Sequence, residues 1–512
     1  MNLPLLSNCS AILLLALGLV AQPVSGSESA RNERSARAGA PEVSFWNFDP
    51  CQGLIASPAQ RTRVVRASAA VPQLPAVNDQ PKLNPIYAPG TDPAKYVPGS
   101  TAQPFGQFDS FSLGKILFRP SARILYQYDS NLLNVPGVST TANHSFQFEP
   151  SIEAFIPVTG NGIRVEYVAA YRKYSSFDLS RSLTHVINAD SQINITPLLS
   201  LGVREHFALS SLDTREFVPG REIIFSDAPF RRNDVGAQLS WTITDRNTVG
   251  LDGDLNKISF DGGQLSAPAG TTFGNPADSI PFYDYDQYKY GGFYRRSVSQ
   301  RTGLIFNGAY FRNLTKDPRD IANSRGFEAL VGIETDLTPL TSGQFSVGFR
   351  GESFPGAPGQ DFRGTVFRGV LQKEFTESIR IELSASRSTN PSYFQGNAYY
   401  VSTGVGLTYT QEVGPKLFLS VAPGYLSNSY PTPLTNGADV PSTLVGAENR
   451  ADRLFELSVD ARYRFTDWVA LEFFCDLIHR DSALFAYRFT NYSAGGGILI
   501  GLHGANRGRF PY

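Results

Sequence analysis

Residues Phe455–Phe474 read FELSVDARYRFTDWVALEFF, and the fold depends on how that stretch is divided. In its first half Phe455, Leu457, Val459, Ala461, Tyr463 and Phe465 alternate with Glu456, Ser458, Asp460, Arg462 and Arg464. A period of two sends successive side chains to opposite faces of a strand, so this half is a strand with one apolar and one charged face. TDW then makes a tight turn led by threonine, and the alternation restarts. Phe375–Ser384 (FTESIRIELS) has the same grammar. Weaker echoes stand at Ile195–Val203 (ITPLLSLGV), Ile243–Leu251 (ITDRNTVGL) and Leu337–Val347 (LTPLTSGQFSV).

The alternation recurs along most of the chain. In Ser145–Ile156 (SFQFEPSIEAFI), Phe146, Phe148, Ile152, Ala154 and Ile156 oppose Gln147, Glu149, Ser151 and Glu153. In Ser378–Ser386 (SIRIELSAS), Ile379, Ile381, Leu383 and Ala385 oppose Arg380, Glu382 and Ser384. About 18 such segments of roughly 9–14 residues follow one another, the length a tilted strand needs to cross a bilayer.

Loop lengths carry the more specific signal. Long connections rich in Gly, Pro, Asp and Ser follow Asn131, Phe177, Ser210, Phe260, Leu314, Phe354, Thr389 and Ser429. Between them lie the short turns VTGNG, TPLL, TDRN, SQRT, TPLTSG, TES, GPK and TDW. Alternating long and short connections in an antiparallel meander mean that one end of the sheet meets a narrow compartment and the other an open one. Outer-membrane barrels have this asymmetry, with short periplasmic turns and long outer loops. An even strand number with a long first connection leaves both termini at the short-turn end. The expected fold is therefore all-β, a transmembrane antiparallel up-and-down barrel over residues 113–512. A soluble sandwich would also alternate, but these polar faces carry charge in mid-strand and the apolar faces run unbroken. Closure also satisfies every backbone donor without leaving an edge.

The chain ahead of the barrel divides in two. Ala11–Val20 (AILLLALGLV) is an apolar run with the length of a signal-peptide core, too short to span a bilayer, with small residues at Val24-Ser25-Gly26. Residues 1–26 are expected to be a cleaved signal peptide. Residues 27–112 are rich in Pro, Ala, Ser and Gln, with prolines at 72, 75, 81, 85 and 89 that forbid regular helix or central strand. They read as a mostly disordered periplasmic extension, a spacer, arm or partial plug. Beyond the signal remain Cys51 and Cys475, far apart and without metal-ligand spacing. Whether they pair is a question of geometry.

Composition narrows the function classes. The 512 residues carry a formal net charge of −1, which gives nucleic acid no whole-chain footprint. A mean hydropathy of −0.18 is too polar for a bundle of membrane helices. The five histidines (144, 185, 206, 479, 503) are scattered, with no HExxH and no G-x-S-x-G elbow. Asp252-Gly-Asp254-Leu-Asn256 opens like a calcium loop but lacks the glycine at position six and the glutamate at twelve. Its period of two puts the three side chains on one strand face. Neither catalysis, cofactor nor metal is expected.

The last strand, Tyr492–Leu502 (YSAGGGILIGL), places Ser493, Gly495, Ile498 and Ile500 in the pattern of a C-terminal signal for barrel-assembly machinery, and the chain ends on aromatic Tyr512. RPSARILYQYDSNLL (Arg119–Leu133) resembles the first strand of the putative β-barrel porin families, and Tyr171–Ser211 is similar to their second and third hairpins. The resemblance covers about 400 residues as pattern. It implies a bacterial outer membrane, outer-membrane lipid as surroundings, and kinship with barrels of which some accompany exopolysaccharide-export operons. The cargo stays open between polysaccharide and small solutes.

A barrel of about 18 strands encloses a lumen too wide for side chains alone to fill. The expected function is a pore, with a structural or adhesive surface barrel as the alternative and a barrel enzyme disfavoured. The residues expected to line the lumen carry both signs: Arg164, Arg350, Arg380, Arg462 and Arg464 against Glu166, Asp252, Asp254, Glu352, Glu382, Asp460 and Glu472. Many alternate within one strand, roughly 7 Å apart, so their fields largely cancel beyond a Debye length of about 8 Å. Weak ion selectivity follows.

Overall fold

The computed structural model describes residues 111–132, 142–158, 160–175, 183–210, 230–260, 284–316, 320–376, 378–392, 397–414, 416–433, 449–466, 468–484 and 487–501. The expected signal peptide and nearly all of the extension, together with Cys51, His503, Tyr512 and the tail 502–512, lie outside them. A short β1 (Phe111–Leu113) pairs with β2 (Ile116–Asp129). The meander then runs through β3 (Asn143–Ile156), β4 (Gly160–Tyr174), β5 (Leu183–Thr196), β6 (Leu199–Ser210), β7 (Phe230–Thr244) and β8 (Asn247–Phe260). It continues through β9 (Tyr285–Ser297), β10 (Thr302–Thr315), β11 (Ser324–Thr338), β12 (Thr341–Ser353), β13 (Phe362–Thr376) and β14 (Ile379–Pro391). The last strands are β15 (Tyr399–Val413), β16 (Leu417–Pro433), β17 (Asn449–Thr466), β18 (Val469–Ser482) and β19 (Phe489–Gly501).

Each strand from β2 onward pairs antiparallel with the next. β19 then pairs with β2, from Ser493 opposite Asp129 to Gly501 opposite Ser121. The sheet closes into an 18-stranded barrel, with the start of β2 and the end of β19 both at the short-turn end. All eight expected short turns and all eight expected long connections are present. A ninth connection at the long end, 483–488 between β18 and β19, escapes the sequence reading because it is short and poor in glycine.

The threonine-led turns are one device used five times. At Thr196, Thr244, Thr338, Thr376 and Thr466 the strand register slips by one residue. The skipped residue is the apolar one before the threonine: Ile195, Ile243, Leu337, Phe375 or Phe465, each about half exposed. A bulge of this kind sharpens the twist and ends the pairing. The threonine hydroxyl then accepts from an N–H two residues on, as at Leu198 (3.2 Å), Arg246 (3.4 Å), Leu340 (3.2 Å), Ser378 (3.3 Å) and Trp468 (3.3 Å). This local bond satisfies a donor that the turn would otherwise leave to water. Neighbouring turns are also tied together, since the carbonyls of Leu198, Leu340 and Trp468 accept from the N–H groups of Thr242, Glu374 and Gly501, each within 2.9 Å.

Burial is inverted relative to a soluble protein. Val331, Val347, Phe306, Leu407, Val459 and Phe473 are exposed on the outer face, while Glu149, Glu153, Glu328, Arg350 and Glu472 are buried on the other. An apolar exposed band with polar groups turned inward is what hydrocarbon outside and a polar interior select. Aromatics concentrate toward the long-connection end, where Tyr126 and Tyr167 bond outward-facing His144 (2.7 Å) and His185 (2.8 Å).

Candidate functional site: the charged inner wall

Inward positions follow from period two and register, and opposed residues on adjacent strands share a face. The twelve charged residues singled out from the sequence all lie on the polar face, away from the exposed apolar rows. Their pairing differs from the sequence expectation. Of the three within-strand pairs expected, only Arg350–Glu352 forms (3.0 Å). Arg164 reaches Glu153 of β3 instead of Glu166, which accepts from Asn188 Nδ2 at 3.3 Å. Arg380 reaches Glu374 of β13 at 2.8 Å instead of Glu382. Strands stand about 4.8 Å apart, whereas same-face residues of one strand are about 7 Å apart, so the shorter route to an opposite charge is across the sheet.

Two belts of paired charge result. On β2–β4 and β18, Arg123 donates through Nε to Glu472 (2.7 Å) and through Nη1 to Glu149 (3.3 Å), and Glu153 takes both Arg119 (3.8 Å) and Arg164. On β6–β13, Asp254 accepts from Arg204 (2.5 Å) and Glu334 from Arg295, while Glu328 lies between Arg350 (3.5 Å) and Arg368 (3.1 Å). Glu352 also accepts from Ser324 (2.7 Å), Thr389 (2.9 Å) and Asn313 (3.3 Å). Asp252 shares the face of Asp254 and Asn256, and Arg462 stands directly opposite Glu472, with Asp460 and Arg464 one step to either side. Among the described residues no group of His, Cys, Asp or Glu is arranged to hold a metal ion.

A third cluster sits near the long-connection end of β16–β18. Asp452 accepts from Arg450 (2.7 Å), Arg480, Ser482 Oγ (2.5 Å) and Tyr430 (3.4 Å). The Arg450 guanidinium lies over the rings of Tyr430 (4.4 Å) and Tyr487 (3.9 Å). Arg450, Asp452 and Arg480 are almost wholly buried. Sequence reasoning missed this cluster, although Arg450-x-Asp452 continues the alternation of FELSVDARYRF upstream. It also missed Arg123, Glu328 and Arg368, and it put Glu153 on the polar face of its strand without naming it among the wall residues; these acids and bases complete the cross-strand pairs.

The wall is apolar in one sector. Ile305, Leu330, Phe362 and Val366 join Phe354 and Ala357 of the β12–β13 connection, with Ala398 and Tyr399, in one buried cluster. The connection is pinned by Asp361, whose carboxylate accepts from Ser353 Oγ and Phe354 N, both at 3.1 Å. Cys475 is exposed, and its partners Val459 and Ala494 place it on the outer face. His206 faces inward, bonded to Asn188 (2.6 Å), whereas His479 faces outward against Thr490.

Residues 310–472, from within β10 to within β18, match the family described as putative beta-barrel porin 2. Solved structures similar to this chain include OccK7 (OpdD) of Pseudomonas aeruginosa, at 11% identity and TM-score 0.39, covering 76% of this chain and 99% of that one. Pseudomonas aeruginosa OccK2 (OpdF), solved in complex with glucuronate, stands at 13% and 0.40, covering 76% and 99%. Acinetobacter baumannii OccAB4 stands at 12% and 0.40, covering 77% and 99%. No curated protein matches the chain. The porin match across these strands, the closed sheet and the apolar outer band make the chain a porin-like β-barrel of the bacterial outer membrane.

Proposed function

We propose that this porin-like barrel conducts neutral or mixed-charge polar solutes through a water-filled, weakly ion-selective lumen lined by the twelve residues named from the sequence. The observation that supports it is the pairing of both signs around the wall. An ion filter needs a ring of one sign, and here Arg123, Arg164, Arg204, Arg350 and Arg380 each have a carboxylate within reach. The paired fields decay within roughly a Debye length, so a passing solute meets dipoles more than net charge. Sugars and short polysaccharides suit such a wall, since their hydroxyls both donate and accept.

The test is swelling of proteoliposomes containing the purified mature chain, in isosmotic neutral sugars of increasing size. Swelling that falls with solute size supports the reading. No swelling with any sugar or with salt would favour the adhesive or structural alternative.

A further inference from the structure

The outer face of β10 and β11 carries an arrangement that the inner wall avoids. Arg312 and Arg325 are directly opposed cross-strand partners, and both are exposed. Like charges directly opposite on adjacent strands destabilise a sheet, because their Cβ atoms are only about 4.5–5.5 Å apart. Neither guanidinium has an ion pair or hydrogen bond among the described residues. Their flanking cross-strand partners are Tyr288 and Ser353. Nearby acids are engaged elsewhere, Asp286 with Lys257 (3.7 Å) and Asp320 with Asn323 Nδ2 (2.7 Å). Arg363, exposed on β13 opposite Gly351, extends the basic patch by two strands.

Height fixes what the patch meets. One same-face step toward mid-strand lie Tyr310 and Phe327, exposed at 48% and 55%, with Phe349 beside them. An exposed aromatic row marks the boundary between hydrocarbon and headgroups. Arg312 and Arg325 stand just beyond it, near the strand ends that lead into the connection 316–323. Taking the barrel as outer-membrane and its long connections as external, this is the headgroup level of the outer leaflet.

We propose that Arg312 and Arg325, assisted by Arg363, form a docking site for the phosphate groups of a phosphorylated glycolipid of the outer leaflet. A phosphate between the two guanidinium groups turns their repulsion into two charge-assisted, bidentate contacts. The aromatics below provide an apolar surface for the acyl chains, so charge and hydrophobicity are stacked in the order in which such a lipid presents them.

The full mature chain is purified and reconstituted in nanodiscs containing bisphosphorylated lipid A, or lipid A stripped of both phosphates. Glycolipid retained per barrel after detergent exchange is then measured by native mass spectrometry. Wild type should retain the phosphorylated form, and R312Q/R325Q should retain about tenfold less or lower, as loss of charge-assisted hydrogen bonds implies. R312K/R325K should fall between, and K173Q, on the outer face of β4, should match wild type. Millimolar inorganic phosphate should not displace the lipid, which separates a lipid site from a free-phosphate site. Equal retention by wild type and R312Q/R325Q, or equal binding of the dephosphorylated lipid, would overturn the proposal. Heat-modifiable gel migration confirms that each variant is folded. Sugar permeation of the same variants in proteoliposomes should be unchanged, so failure here and failure of the pore reading are distinguishable.

Discussion

The two faces of β12 present the same thirteen residues to opposite surroundings. Outward, Phe345, Val347 and Phe349 stand exposed by 40–48% and make no polar contact with the rest of the sheet. Inward, Ser346, Arg350 and Glu352 are nearly inaccessible, and Arg350 engages Glu328 and Glu352 together. An apolar residue on the outer face is satisfied by lipid alone, so that face requires composition. The inner face requires partners, because a desolvated charge without one costs several kcal/mol. Composition can be read along one strand, whereas partnership depends on which strand lies alongside.

The largest effect should come from breaking an inner partnership. Arg350→Leu leaves Glu328 without one of its two arginines and Glu352 without its only one, so about 3–5 kcal/mol of stability should be lost. The shift of the urea unfolding midpoint in detergent measures this. A loss under about 1 kcal/mol would mean that the wall is solvated enough to do without pairing.

On the outer face, Val459→Arg should cost about 2–4 kcal/mol, since Val459 lies mid-strand between Val421 and Cys475. Ser458→Arg, on the inner face of the same strand, should cost far less. Ile381→Arg should also be mild, about 0–1 kcal/mol. The structure puts Ile381 two residues into β14, opposite Lys373 and beside the short turn led by Thr376. Equal tolerance of arginine at Val459 and Ser458 would contradict the assignment of faces.

Smaller still is the turn device. Thr466→Ala removes the acceptor for Trp468 N and Val469 N and should cost about 1 kcal/mol, the usual net value of such a bond. Thr466→Ser should restore it. A loss at Thr466 with none at Thr376, where the hydroxyl serves only Ser378 N at 3.3 Å and the Ser378 hydroxyl, would rank the turns by the quality of that acceptor.

The topology can be broken without touching stability. Protease added to intact cells should cut the connections between β6 and β7, β8 and β9, or β16 and β17, and spare Thr376–Ser378. Cleavage at Thr376–Ser378 with the outer membrane unbroken would invert the barrel.

These contrasts show what the sequence could carry. FELSVDARYRFTDWVALEFF contains the strand period, the two faces and the turn, because each depends on neighbours one to three residues away. Chain closure was legible through the alternation of long and short connections, although the pairing of Gly501 with Ser121 joins residues hundreds of positions apart. The inner wall was legible as a set of residues but not as a set of pairs. Arg164 and Glu166 look like partners in the sequence, and only the neighbouring β3 brings Glu153 within reach. The Arg450–Asp452–Arg480 cluster and the outer Arg312–Arg325 pair were invisible for the same reason, since each rests on strand register.

The central claim is that opposite charges cancel around the lumen, and reversal potential across a planar bilayer in a tenfold salt gradient tests it most directly. The account predicts a clear conductance with a reversal potential close to zero, moving toward anion or cation preference when a paired charge such as Glu153 or Arg123 is neutralised. A wild-type reversal potential near the limit for either ion would contradict it.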